Sequence, residues 1–337
     1  MKIKINIVLI FLLQSCLFAT FSIVAVDINT GEVGSAGGSC IANSIIISDM
    51  HPGHGAIHTQ SYWMSANQSY ASSLMEEGYT SSEIINLLQE NDIQNNPSIR
   101  QYGVVAIDSG NNYGYLYEEE CSEIGDTYWN GTSNSEELGE CTDIPISSSA
   151  SFTGENCSNW KGHINGIEYA IQGNILLNED VLNQMEYNFL NTNGTLDQKL
   201  MSAMQGANIP GADTRCLDEG ISTLSAFIRL AKPSDGNNYY MDLNVNSVIP
   251  YYSQTGLWLE PIDTLQTLYN EWYDNNFPFE LGDINQDSII DILDIVQLVN
   301  FIMGNNASGM EFYLSDLNAD NIINIQDIII IINYILS

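Results

Sequence analysis

Two short stretches of this chain carry oxygen-bearing side chains at a repeated spacing. They are DINQDSIIDILD at 283–294 and DLNADNIINIQD at 316–327, 33 residues apart. Each places a side-chain oxygen at loop positions 1, 3, 5, 9 and 12: Asp283, Asn285, Asp287, Asp291 and Asp294, then Asp316, Asn318, Asp320, Asn324 and Asp327. The backbone carbonyls of Ile289 and Ile322 fall at position 7. A hard divalent cation such as calcium needs six or more oxygens, and a twelve-residue loop supplies them at this spacing. One such pattern could arise by chance in a chain with 42 acidic residues. Two in register, each running into an apolar helix (IVQLVNFIMG and IIIIINYIL), are expected to hold two Ca2+ ions.

A second chemistry begins at Thr20. Lys2 and Lys4, the apolar run from Ile5 to Leu13 and the small residue Ala19 read as an export signal over 1–19, too short in its apolar part to span a membrane. LQSC at 13–16 is a loose lipoprotein box that would make Cys16 a lipidated terminus, but Gln14 fits it poorly, and cleavage after Ala19 is the expectation. The mature chain would then open TFSIVAVD, with a free α-amine beside the Thr20 hydroxyl. Such an amine has a pKa of about 7.7 to 8.0, so part of it is neutral at ordinary pH. It can take the proton of its own hydroxyl, giving nucleophile and base in one residue. On its own, the same threonine is also simply the first residue of a strand.

Composition limits the partners. Removing 1–19 takes away two of the eight basic residues and no acid, leaving a net charge of −36. Such a chain repels nucleic acid and anionic lipid, and neither nucleic-acid binding nor membrane insertion is expected. Five cysteines remain after cleavage: Cys40, Cys121, Cys141, Cys157 and Cys216. An exported chain permits disulfides. Cys121 and Cys141 flank a polar, acidic stretch and are expected to pair; Cys40 is expected to pair with Cys216 or Cys157.

The elements that must position these residues alternate strand and helix patterns. TFSIVAVD, the small-residue run after INTG, GHGAIHTQSYW and QYGVVAIDSG read as strands. TSSEIINLLQEND is a helix opened by a Thr80–Glu83 capping box. NEDVLNQMEYNFLNT and LDQKLMSAMQGA read as further helices, and LSAFIRLAKP with NNYYMDLNVNS as a closing strand pair. The expected class is α+β. The expected boundaries are a signal over 1–19, a main domain over 20–273 with an acidic insert at 113–148, a linker at 274–281 and a calcium-binding domain at 282–337. The isoleucine run from Ile328 to Ile332 is expected to be hidden between the two C-terminal helices.

The 282–337 segment resembles a type I dockerin: aspartate stands at position 12 of each loop, and one helix follows each loop. The resemblance implies a small all-α domain that docks onto a cohesin-bearing scaffold protein. The usual small hydroxyl residues at positions 10 and 11 are replaced here by Ile292, Leu293, Ile325 and Gln326. From Thr20 to about 232, TFSIVAVDINTGEVGSAGGS, GAIHTQ, RQYGVVAIDSG, FTGENCSNWKGHINGIEYAIQGNIL and GADTR resemble the bacterial family called domain of unknown function 1028. That resemblance implies a four-layer αββα sandwich of the N-terminal-nucleophile (Ntn) hydrolase type. Its cytoplasmic members begin at the same threonine, after a removable initiator methionine.

Further candidates lie in the motifs that match this family. Asn174 in QGN is an expected oxyanion donor, as amide side chains are in such holes, or else a residue holding a turn. His58 and Gln60 share one face of a predicted strand. His51, His54 and His58 have metal-like spacing, but no helix is predicted to bring them onto one face. His163, Asp213, Arg100 and Arg215 complete the candidate pocket, with the two arginines as carboxylate binders. Three readings follow. The first is a secreted or cell-surface amidohydrolase using Thr20, carried to a scaffold by its dockerin. The second is a non-catalytic secreted binding module. The third is a dockerin-borne component of a polysaccharide-degrading system. Glycoside hydrolysis needs two placed carboxylates, and no pair stands out.

Overall fold

The computed structural model describes residues 20–108, 127–128, 139–140, 146–236, 238–246, 259–276, 279–304, 307, 309–320 and 322–336. The export segment, most of the acidic insert and the expected Cys121–Cys141 pair lie outside these residues. The strands are β1 (Thr20–Asp27), β2 (Glu32–Ser39), β3 (Ser48–His51), β4 (Gly55–Ser61), β5 (Arg100–Asp108), β6 (Thr127–Tyr128), β7 (Gly139–Glu140), β8 (Ile146–Thr153), β9 (Lys161–Asn165), β10 (Tyr169–Asn174), β11 (Ser225–Ala231) and β12 (Met241–Val245). A six-stranded sheet has the order β12-β11-β2-β1-β10-β9 and a four-stranded sheet the order β3-β4-β5-β8; β6 and β7 pair with each other. Neighbouring strands in the two large sheets are antiparallel.

Strand alternation sorts the side chains into layers. Phe21, Ile23 and Ala25 of β1 join Tyr169 and Ile171 of β10 in a core with helices α3 (Asp180–Asn191), α4 (Leu196–Gly206) and α5 (Pro261–Asn276). Ile57, Tyr102 and Val104 of the smaller sheet pack against α1 (Ser65–Glu76) and α2 (Ser81–Glu90). The residues of opposite parity meet in a third cluster: Val24, Val26, Val33 and Ala170 against Met50, Ala56 and Val105. The two sheets therefore pack face to face through one half of their contact and carry helices on their outer faces. The class is α+β.

Local sequence explains the elements. Thr80 caps α2, with its hydroxyl accepting from Glu83 N while Glu83 returns a bond to Thr80 N, which satisfies two otherwise orphaned amides. The small residues of β2 let α4 approach: a Cβ on Gly34 would lie 2.3 Å from Leu200 Cδ1. Helix α5 runs through Tyr273 to Asn276, so the first three residues of the expected linker are helical. Among the described residues no helix is long and apolar enough to cross a membrane.

The C-terminal segment holds α6 (Ile292–Ile302), α7 (Gly309–Ser315) and α8 (Ile325–Leu336). Ile284, Leu298, Leu314 and Ile331 form its buried centre. The isoleucine run is not hidden as a block. Helical period turns Ile331 inward, while Ile329 stays 54% exposed and Ile330 and Ile332 are also exposed.

Candidate functional site

The other half of the layer between the sheets is polar and begins at Thr20. Thr20, Ser22, Ser35, His58, Gln60, Gln101, Gln172 and Asn174 are all at most 1% exposed. Their parity on β1, β2, β4, β5 and β10 is that of the inward residues. Gln60 lies at the crossing point. Its Oε1 accepts from Ser22 Oγ at 2.7 Å, and its Nε2 donates to Gln101 Oε1 at 2.8 Å and to the Thr20 carbonyl oxygen at 3.4 Å. Gln101 Nε2 donates to Thr153 Oγ1 and to the carbonyls of Gly162 and Gly173, at 2.8 to 3.0 Å. Gln172 Nε2 donates to Ser22 Oγ at 2.6 Å and to His58 Nδ1 at 3.2 Å, and His58 Nε2 faces Ser35 Oγ at 2.6 Å. Gly103 admits Gln172, since a Cβ there would lie 1.8 Å from Gln172 Oε1. Burial, with Arg229 as a lesser cause, holds the His58 pKa down to about 3. The imidazole is neutral.

Three strand ends gather the chemistry at one edge of this layer. Thr20 heads β1 and stands opposite Asn174, the last residue of β10. Thr20 Oγ1 donates to Ser39 Oγ, at the end of β2, at 3.4 Å. Arg215 Nη2 reaches the same Ser39 oxygen at 3.4 Å and donates to Asp213 Oδ2 at 2.8 Å, while its Nε donates to Asp213 Oδ1 at 3.1 Å. Asp213 is fully buried and also accepts from Cys40 N at 2.7 Å. A disulfide between Cys40 and Cys216 closes the same corner, which resolves the choice for Cys40. Cys157 is a free, buried thiol whose pKa burial pushes up. Ile175, next to Asn174, has φ +54°, a region costly for a β-branched residue. Its backbone bonds to Ser158 and Thr214 tie the end of β10 to the turn that carries Arg215.

Two expected residues are placed elsewhere. Arg100 does not face Thr20. It alternates with Gln101, so it points toward the outer helices, 1% exposed. There it donates to Asp92 Oδ2 at 2.7 Å, to Gln94 Oε1 at 2.7 Å and to the Tyr62 carbonyl. Its carboxylate partner belongs to this chain. Burial raises the Asp92 pKa, but bonds from Arg100, Asn96, Asn67 and Gln94 overcome that and bring it down to about 2. His163 lies exposed on the edge strand β9, opposite Gln172 in the ladder, with its Nδ1 2.8 Å from Thr153 Oγ1. Ser22, Ser35, Ser39, Gln101 and Gln172 were not singled out from the sequence. Their signal was a polar residue at inward parity in strands otherwise apolar, as in RQYGVVAID and YAIQGN.

A profile of the family of unknown function DUF1028 matches residues 20–126 and 144–249. The chain belongs to the DUF1028 family. The break in the match falls within the acidic insert expected at 113–148. A crystal structure of a DUF1028 protein from Silicibacter pomeroyi matches with a TM-score of 0.51 at 19% identity, covering 76% of this chain and 89% of that one. At that identity the likeness concerns the fold alone. No curated protein matches the chain.

Beyond the DUF1028 region, the two twelve-residue loops share a set of carboxylate-to-amide bonds. In the first, Asp283 Oδ1 accepts from Asp287 N, Asp287 Oδ1 from Ile289 N, and Asp294 from Ile284 N and Asp291 N. In the second, Asp316 accepts from Asp320 N, Asp320 from Ile322 N, and Asp327 from Leu317 N and Asn324 N. Asp283, Asp294, Asp316 and Asp327 are buried, yet residues 281–337 contain no Lys, Arg or His. Among the described residues no three His, Cys, Asp or Glu side chains converge as a ready metal cluster. The donor set is nonetheless all hard oxygen with no cation of its own, which fits calcium. A type I dockerin profile matches residues 281–336. Dockerins of this type bind calcium and typically bind cohesins of scaffold proteins.

Proposed function

We propose that this protein is a secreted N-terminal-nucleophile amidohydrolase, tethered to a cohesin-bearing scaffold by its dockerin and opened for catalysis by cleavage before Thr20. The observation that supports it best is Thr20 itself. It heads a central strand, is fully buried beside Ser39, and marks the edge where Asn174 and the Asp213–Arg215 pair meet. The two stacked sheets with outer helices support an αββα sandwich. In this reading the main domain spans 20–273 and the dockerin, which would hold two calcium ions, spans 282–337.

The chemistry needs only the chain and water. The Thr20 hydroxyl oxygen attacks an amide carbonyl carbon while the neutral α-amine takes the hydroxyl proton. That proton passes to the departing nitrogen as the C–N bond breaks, leaving an acyl ester on Thr20. Water then attacks the ester, releasing a carboxylic acid and restoring the hydroxyl. Arg215, unlike the buried Arg100, is partly exposed, and its bidentate pairing with Asp213 fixes its guanidinium at the Thr20 edge, where it is placed to meet a substrate carboxylate.

The test joins mass-spectrometric sequencing of the secreted protein to labelling with a β-lactone, which acylates nucleophilic hydroxyls. The expected result is a chain starting at Thr20, acylated once at that residue, with labelling abolished in Thr20→Ala. A lipidated Cys16, or a start upstream of Thr20, overturns the catalytic reading. A Thr20 start with no acylation leaves the binding-module reading in its place.

A further inference from the structure

The geometry points to Asn174 Oδ1 as the acceptor that holds the α-amine of Thr20, which makes Asn174 a positioning residue and not the oxyanion donor its motif suggested. This rests on the Thr20 start proposed above. The orientation of the Asn174 amide is fixed by its neighbours. Gln101 Nε2 faces three acceptors, Thr153 Oγ1 and the carbonyls of Gly162 and Gly173. A carbonyl cannot donate, so Gln101 must present its nitrogen to them and its Oε1 to the other side. That Oε1 receives Gln60 Nε2 at 2.8 Å and Asn174 Nδ2 at 2.9 Å. Turning Asn174 over would set two carbonyl oxygens against each other. Gln60 is fixed in the same way, by the hydroxyl of Ser22 on its oxygen and the Thr20 carbonyl on its nitrogen.

The end of Asn174 left over is therefore an acceptor. Oδ1 is buried and has no hydrogen-bond partner among the described residues, and Asn174 is 1% exposed. A buried carbonyl without a donor is costly, so a donor is to be sought. Thr20 stands directly opposite in the ladder, and side chains so paired lie on the same face with Cβ atoms about 4.5–5.5 Å apart. In the full-length chain the Thr20 nitrogen is an amide with one hydrogen. Cleavage before Thr20 turns it into an amine with two hydrogens, or three when protonated, and so creates donors beside the orphan oxygen. An N–H held by Oδ1 fixes the amine's rotation, which settles where its lone pair points. The hydroxyl that the lone pair must reach is oriented separately, toward Ser39 Oγ.

The experiment follows the amine directly and needs no substrate. Mature, calcium-loaded, full-length protein with a Thr20 start verified by mass spectrometry is treated with cyanate across pH 5 to 10. Cyanate carbamylates only the neutral amine, so the rate at the N-terminal peptide traces its pKa. Asn174→Asp places a carboxylate against the amine. Its midpoint should rise by about one unit or more, slowing carbamylation roughly tenfold at neutral pH. Asn174→Ser is too short to reach across the ladder and adds no charge, so its midpoint should fall below that of the unaltered protein. It carries the test alone if the aspartate variant fails to fold. Midpoints that coincide would assign Oδ1 to a buried water and overturn the inference while leaving Thr20 as nucleophile. A chain that does not begin at Thr20 removes both proposals.

Discussion

The layer between the sheets and the two C-terminal loops both bury polar groups, and they settle the cost in opposite ways. Between the sheets the groups are neutral amides, hydroxyls and one uncharged imidazole, and most are satisfied by one another. In the loops four buried carboxylates stand in a segment without any basic residue. Backbone amides satisfy part of each carboxylate, but no amide neutralises the charge. A network of neutral groups can be complete within the chain, whereas a set of buried like charges needs an ion from outside. The first region needs no outside partner for its charge, and the second does.

Calcium removal should separate the two regions most sharply. With a chelator, the full-length protein should lose the helicity of α6 and α8 and become open to proteolysis after residue 281, while the main domain keeps its melting transition. A chelated protein whose circular dichroism and protease pattern are unchanged would mean that the loops are stable without metal. The converse treatment is reduction. The Cys40–Cys216 bridge closes a separation of 176 residues, so its loss should cost the main domain about 5 kcal/mol on the chain-entropy account. The calcium loops should be untouched. Denaturant titration of Cys40→Ser with Cys216→Ser measures this, and an unchanged midpoint would show that the corner around Arg215 is held by packing alone.

Acid should act on the sheet region through His58. His58 is neutral in the fold, with a pKa near 3, but titrates near 6.5 when unfolded. The unfolded chain thus binds the extra proton between these values, so stability is full above about 6.5 and falls as pH drops toward 3. At pH 4.5 the loss from this one group is on the order of 2–3 kcal/mol. Asp92, lowered to about 2, adds a loss of the same sign at still lower pH. Denaturation at pH 7 and pH 4.5 should show this difference, and His58→Gln should flatten it. An equal slope in the variant would place the acid sensitivity elsewhere.

The same contrast explains what the sequence could tell. The calcium loops are local: twelve consecutive residues carry the whole donor set, and repetition at a fixed interval exposes it. The capping box of α2 was legible for the same reason. The sheet layer is not local. Gln60, Gln101 and Gln172 come from three strands, and nothing in any one strand says which face will meet the other sheet. Arg100 shows the limit. Its scarcity in an acidic chain suggested a substrate role, but one step of strand alternation separates it from Gln101 and turns it to the opposite face. Helix α1, SANQSYASSLME, was missed because its inward residues include Asn67 and Ala71, so its apolar stripe is weak.

The smallest expected effect lies in the calcium loops and tests how far their repetition extends. Gln286 and Ala319, both at loop position 4, have φ of +60° and +55°, and Ser288 at position 6 has φ +68°. Position 6 is where loops of this length make their sharp turn and where glycine is the usual residue. Serine there bears the left-handed cost, about 1–2 kcal/mol for a residue with a Cβ. Glycine would remove that cost but also loosen the unfolded chain, which cancels part of the gain. Ser288→Gly should therefore stabilise the calcium-loaded dockerin by about 0.5–1 kcal/mol, read as a small fall in the calcium concentration needed for folding. Because the strain is local, the main domain's transition should not move. A higher calcium requirement in the variant would show that the Ser288 side chain, and not only the turn of its backbone, contributes to the loaded loop.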